Sequence, residues 1–237
     1  MSEPIALQQI FWNDWNAAHR EPGISEVSLD QRSVIIEWLG RLGRANLRIL
    51  EVGCGAAWLC PWLKPYGEVT ATDLSDEVLR RARQRVSGVQ FIAGDFMSLG
   101  FDQSCFDVVV SIEVLSHVDD QQAFVEKLAA LTAPGGLLML ATQNRPVLQK
   151  FNRVDERMPG QIRRWVDRAE LQALLLTANF EVCEIRSITP RANRWPFCLI
   201  AGRRARRALR FIAGRSYETA LARLGLAWTL MALARKK

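Results

Sequence analysis

The chain has 237 residues, 49% hydrophobic and 24% charged, which marks a globular protein large enough for one well-buried core. No apolar run is long enough to span a bilayer, Met1 to Ile10 carries no basic stretch that would open a signal peptide, and the five cysteines (54, 60, 105, 183, 198) lack C-x-x-C spacing. With only His19 and His117 as further ligands of that kind, this excludes a zinc or disulfide framework and predicts reduced thiols in the cytoplasm.

Residues 5–20 carry Ile5, Leu7, Ile10, Phe11, Trp12 and Trp15 at helical spacing, ahead of His19 and a Glu21-Pro22-Gly23 break. A second helix is predicted from Leu29 to Leu42. The pair reads either as a lid over the open end of a sheet or as plain packing helices. Arg48 to Val52 is a short apolar strand, broken by Gly53-Cys54-Gly55 and followed by a helix from about Ala57 to Lys64. Glu68 to Asp73 is a second strand, and Asp76 to Val86 a helix whose Arg80, Arg81, Arg83 and Arg85 read as a solvated face. Val89 to Ala93 and Phe106 to Ile112 are strands three and four, the latter continuously apolar as buried parallel strands are. A helix from Asp119 to Leu131, a Pro134-Gly135-Gly136 turn and a strand from Leu137 to Thr142 follow. Asp167 and Glu170 have capping-box spacing for a helix through Leu176, and Phe180 to Ile188 alternates as a sixth strand. Residues 190–226 read as an inserted helical region before a last strand, Ala227 to Ala234.

Strands alternating with helices predict an α/β, doubly wound, mostly parallel seven-stranded sheet, with ligands beyond the strands' C-terminal ends. One domain is expected: 1–45 as N-terminal helices, 46–188 as core, 189–226 as basic insertion and 227–237 as last strand. Glycines at 53 and 55 permit positive φ and close ligand approach. A dinucleotide turn wants G-x-G-x-x-G, yet its third glycine would here be Trp58. Asp73 lies twenty residues after Gly53, placed to accept both hydroxyls of a ribose. Asp95 and Phe96 follow strand three.

Glu51-Val-Gly-Cys-Gly55, Asp73, Gly94-Asp95, Phe106-Asp-Val-Val-Val-Ser-Ile-Glu-Val-Leu-Ser-His-Val118 and Ala133-Pro-Gly-Gly136 resemble, in order, the sequence blocks of class I S-adenosylmethionine (SAM)-dependent methyltransferases. Leu29-Asp-Gln-Arg32, residues 113–118 and Ala141-Thr-Gln-Asn-Arg145 are most similar to the ubiquinone-biosynthesis O-methyltransferase branch. The resemblance covers about residues 30–190. It implies a Rossmann-like fold, SAM as cofactor and S-adenosylhomocysteine (SAH) as product. The site it implies comprises Arg32, Glu51, Gly53, Cys54, Gly55, Asp73, Leu74, Asp95, Phe96, Ile112, Glu113 and Val114, with no metal. Ala57 replaces the motif's last glycine, an exchange that a negative φ would tolerate.

SAM chemistry requires a nucleophile held in line with the methyl, and a base only where that nucleophile is protonated. His117 is the first candidate base, with a turn residue bonded to backbone as the equal alternative; His19 is the second. The expected acceptor is a small, partly apolar molecule with an O or N nucleophile. Net charge adds a question about partners. Past Ile188 ten Arg and two Lys face one acid, so the tail carries +11 against −5 for the rest. Arginines at 203, 204, 206, 207 and 210 alternate with large apolar residues, so 191–215 reads as a cap, a contact with an anionic acceptor, or a peripheral membrane contact. An RNA methyltransferase and a non-catalytic SAM-binding accessory protein are the competing functions. Nucleic acid ranks lower, since no base-flipping motif or RNA-binding module is visible.

Overall fold

The computed structural model describes residues 3–237, apart from the side chains of residues 3, 4, 203, 206, 207 and 210–215. Seven strands form one sheet: β1 (Leu47–Val52), β2 (Gly67–Asp73), β3 (Gln90–Ala93), β4 (Phe106–Ile112), β5 (Thr132–Gln143), β6 (Phe180–Pro190) and β7 (Ala227–Lys236). Their spatial order is β3-β2-β1-β4-β5-β7-β6. All neighbouring pairs are parallel except those of β7, which runs antiparallel to β5 and β6. The order reverses direction beside β1, so the ends of β1 and β4 open a crevice of the kind that takes ligands in such sheets.

Alternation along the central strands supplies both halves of the core. Ile49, Val108, Val110 and Met139 face one layer, packed with Trp38, Leu39 and Leu79 from helices α2 (Glu26–Leu42) and α4 (Asp76–Arg85). Leu50, Val109, Leu138 and Leu140 face the other, packed with Phe124 and Leu128 of α5 (Gln121–Leu131) and with Leu171 and Leu175 of α7 (Arg168–Thr177). A strand covered on both faces has no polar side to show, which is why β4 reads as an unbroken apolar run.

Helix boundaries follow their caps. Ser25 caps α2 by accepting the Ser28 N–H at 3.1 Å, and Gly43 ends it in the left-handed region. Asp167 and Glu170 form the predicted capping box. The segment after the glycine turn is less helical than its sequence predicts. Only α3 (Cys60–Leu63) is α-helical there, followed by a 3₁₀ turn at Lys64–Tyr66, because prolines at 61 and 65 each start a new short element.

The two N-terminal helices have different jobs. Helix α2 is a packing helix, with Val34, Ile35, Trp38 and Leu39 all buried. Helix α1 (Glu3–His19) lies over the strand ends, tied to the start of α4 by Asn16 Nδ2 to Ser75 Oγ at 3.3 Å and, just past the helix, by the Arg81–Glu21 ion pair at 2.7 Å. That pair takes Arg81 off the solvated face expected for α4. Past β5, α6 (Arg145–Phe151) precedes a long loop. The insertion between β6 and β7 contains α8 (Cys198–Ala201) and α9 (Arg203–Arg223).

Candidate active site

The C-terminal ends of β1, β2 and β4 meet at a cavity of about 570 Å³. Its floor is the glycine turn. Gly53 has φ +74° and Gly55 φ +52°, values that L side chains rarely adopt. A Cβ on Gly53 would lie 2.1 Å from Val114 Cγ2, and one on Gly55 would lie 2.9 Å from Asn16 Oδ1. The missing side chains therefore make room first for the end of β4 and for helix α1. Ala57 sits at φ +58°, buried, so the residue in place of the last glycine adopts a glycine-like conformation, and the negative φ that would make the exchange free of strain is not met.

Asp73, at the end of β2, closes this turn. Its carboxylate accepts the Gly55 N–H at 2.7 Å and the Ser75 N–H at 2.8 Å. Burial pushes its pKa up, and these two backbone donors oppose the rise. Leu74 continues the wall. Asp95 also lines the cavity, while its oxygens serve its own turn: they accept from Met97 N at 3.0 Å and Ser98 Oγ at 2.8 Å. Phe96 packs edge-on against Phe124 with ring centroids 5.5 Å apart, presenting little of its ring.

Ile112, Glu113 and Val114 form the opposite wall. Glu113 adopts φ +62°, which ends β4 and turns its side chain toward α2, where Gln31 Nε2 donates to its carboxylate at 2.5 Å. Burial raises its pKa to about 7, opposed by the nearby Arg20 guanidinium and by hydrogen bonds from Gln31 and Gln143. His117 follows in a 3₁₀ turn. Its Nδ1 lies 2.8 Å from the Ile162 carbonyl oxygen and so donates to it, leaving the lone pair on Nε2. Burial lowers its pKa to about 4. Trp12 from α1 meets the imidazole edge-on, with centroids 4.7 Å apart. His19 stacks on Trp15 at 5.1 Å and bonds the Trp15 carbonyl through Nδ1 at 3.0 Å.

Two expected residues lie elsewhere. Arg32 does not line the cavity: its guanidinium sits over the Trp62 ring, 4.2 Å from the centroid. The arginine that reaches the cavity from the N-terminal region is Arg20. Glu51 lies beneath the turn, fully enclosed, where it accepts from Cys60 Sγ at 3.0 Å. Enclosure raises its pKa to about 8, so it is chiefly a neutral carboxyl group at pH 7. Cys54 is equally enclosed and its thiol is pushed up to about 11, which keeps it protonated and inert.

Sequence reasoning missed Asn16, Arg20, Gln143, Gln161, Arg191 and Trp228, all of which line the cavity. A signal for the first two was present: polar Asn16, His19 and Arg20 continue the Trp12–Trp15 side of α1, where a plain packing helix would stay apolar. Nothing local marks Arg191 or Trp228, which are brought in by the return of β6 and β7. Among the described residues no group of three or more His, Cys, Asp or Glu could hold a metal ion.

The residues fit an adenosine-type cofactor without phosphate. The glycine turn presents backbone, Asp73 presents a buried carboxylate, and the third position of a dinucleotide turn is Trp58 at the cavity wall. Residues 50–140 match the family of methyltransferase domains. The chain is 40% identical over 111 residues to a ubiquinone biosynthesis O-methyltransferase of Xanthomonas axonopodis pv. citri, covering 44% of this chain and 46% of that protein. It is 34% identical over 151 residues to the protein of that name from Chelativorans sp., covering 59% and 60%. It thus spans about half the length of the curated relatives it matches. Among solved structures, a SAM-dependent methyltransferase from Mesorhizobium loti aligns with a TM-score of 0.62 at 21% identity, over 85% of this chain and 98% of that one. The 1,6-didemethyltoxoflavin-N1-methyltransferase of Burkholderia thailandensis, with bound 1,6-didemethyltoxoflavin and SAH, aligns with a TM-score of 0.65 at 19% identity, over all of this chain and 92% of that one. At such identities these two structures speak for the fold.

Proposed function

We propose that the chain is a class I SAM-dependent methyltransferase, an enzyme that transfers a methyl group to an O or N nucleophile of a small, partly apolar molecule. The observation that carries this reading is the Asp73 carboxylate bound to the Gly55 N–H at 2.7 Å, on a turn with no third glycine for a pyrophosphate. SAM bound there would supply a sulfonium-activated methyl group. Asp73 would take the ribose hydroxyls, Ile112 to Val114 and the 53–55 turn would flank the methionine part, and Asp95 and Phe96 would border the adenine.

The protein's contribution is then chiefly positional. Holding two reactants in line can supply about 7–11 kcal/mol of a barrier. Trp12, Trp15 and Trp228 line the rest of the cavity and favour an acceptor with a flat or apolar body. Helix α1 covers that side through Trp12, Trp15 and Asn16. His117 would accept the acceptor's proton on Nε2, its Nδ1–H being held by Ile162. With a pKa near 4 it is unprotonated throughout the neutral range and suits an acceptor acidified by its own conjugation.

Calorimetry with SAH and with NAD, followed by a transfer assay from methyl-labelled SAM to a panel of phenols, catechols and aromatic amines, tests the reading. SAH binding with label in a small acceptor is expected. NAD binding in place of SAH would overturn it.

A further inference from the structure

The insertion between β6 and β7 carries a second surface whose chemistry the methyl-transfer site does not use. Helix α8 is anchored by one edge: Ala201 is fully buried, its carbonyl accepts the Ala192 N–H at 3.1 Å, and both residues pack with Leu221 and Leu226. The other edge faces outward. Trp195 is 78% exposed, Leu199 65% and Ile200 42%, three large apolar side chains within six positions. Arg194 and Arg204 flank them, both exposed. By sequence, residues 191–215 hold eight arginines and no acid. The side chains of Arg203, Arg206, Arg207 and Arg210 lie outside the described residues, so their part here is their charge alone.

We propose that α8 and the start of α9 form a docking surface for an anionic lipid bilayer, with Trp195, Leu199 and Ile200 entering the interface and the surrounding arginines meeting the headgroups. Two features select this occupant. A stretch of 25 residues without one acid is complementary to a negatively charged surface. The apolar members include Leu199 and Ile200, and aliphatic side chains partition into acyl chains but cannot stack on nucleobases. A tryptophan beside arginines is at home at the headgroup level, its ring apolar and its N–H able to bond. No described helix is long and apolar enough to cross a membrane, so the contact is peripheral. It is also coupled to the cavity by the chain itself. Arg191, which lines the cavity, is only four residues from Trp195. An acceptor dissolved in the bilayer could thus be taken up beside its source; that last step rests on the methyl-transfer reading, the docking does not.

The test is co-sedimentation of the whole protein with vesicles of phosphatidylcholine alone and of phosphatidylcholine with phosphatidylglycerol. Binding to the anionic vesicles only is expected, weakening as salt shortens the screening length to ~10 Å at 0.1 M. Leu199→Glu with Ile200→Glu should lower the partition coefficient by about tenfold or more while SAH binding and thermal melting stay unchanged. Trp195→Leu should keep the vesicle binding yet lose most of the tryptophan quenching produced by brominated anionic lipid. Failure to bind anionic vesicles, or equal binding by the double variant, would overturn the docking surface. So would binding of single-stranded RNA in place of vesicles, or dimerisation through the same residues seen by light scattering. SAH binding in the same samples reports on the methyl-transfer site separately.

Discussion

Asp73 holds Gly55. The carboxylate at the end of β2 accepts the backbone N–H of the turn that ends β1 at 2.7 Å, so one side chain both shapes the glycine turn and presents negative charge beside it. Asp73→Asn keeps the shape but removes the charge and brings an amide N–H against one of two backbone donors. SAH affinity should fall by on the order of 1–3 kcal/mol, the range for a lost charged hydrogen bond. Calorimetry checks this, and an unchanged affinity would remove Asp73 from the cofactor site.

Gly53 should be intolerant for two separable reasons. Its φ of +74° strains any L residue, and a Cβ would overlap Val114 Cγ2 at 2.1 Å. Gly53→Ala is expected to cost at least about 2 kcal/mol, combining backbone strain and overpacking. Adding Val114→Ala removes the clash but not the strain. Denaturant melts of the double variant should therefore recover part of the loss; full recovery would show that φ is unstrained there.

How far the sequence reaches is visible in these same residues. The sheet was legible because its central strands are largely apolar and because β1, β2 and β3 run into Gly53, Asp73 and Gly94 at their C-terminal ends. Asp73 and Asp95 could be placed from that ending alone. The bonds of Asp95 to Met97 and Ser98 could not, since any Asp at such a turn leaves the same trace. Arg32 and Arg20 show the limit more sharply. Both are arginines upstream of the glycine turn, yet Arg32, on α2, lies over Trp62 while Arg20, just past α1, reaches the cavity, a difference that only the packing of the two helices decides. The positive φ of Ala57 likewise has no signal in a residue that accepts it at a cost.

Glu51 gives a pH signature. Its folded pKa is raised to about 8 from 4.5, so between these values the folded state holds a proton that the unfolded chain has released. Its contribution to stability is then full below pH 4.5 and is lost as pH rises to about 8. Glu51→Gln keeps an acceptor for Cys60 without this titration. Thermal melts should show the variant gaining on the wild type from pH 5 to pH 9, by on the order of a few kcal/mol at the alkaline end. Parallel curves would mean that the carboxyl is ionised in the fold.

His117 titrates with the opposite sign. Its folded pKa is lowered to about 4 from 6.5, so in that window the unfolded chain binds the extra proton. The stability it contributes is present above pH 6.5 and is lost as pH falls toward 4. Activity should follow the folded value. If Nε2 accepts the acceptor's proton, kcat/KM should show no fall near pH 6.5 and should decline only near pH 4, provided the fold survives there. His117→Ala should lower kcat by about 10²–10⁴ with little change in SAH affinity. The imidazole also ties the 3₁₀ turn to Ile162 through Nδ1, so a second outcome has its own signature. A variant with unchanged kcat but a lower melting temperature and a raised acceptor KM would make His117 the anchor of the 152–167 loop. Catalysis would then rest on orientation, with an acceptor that reaches the cavity already deprotonated.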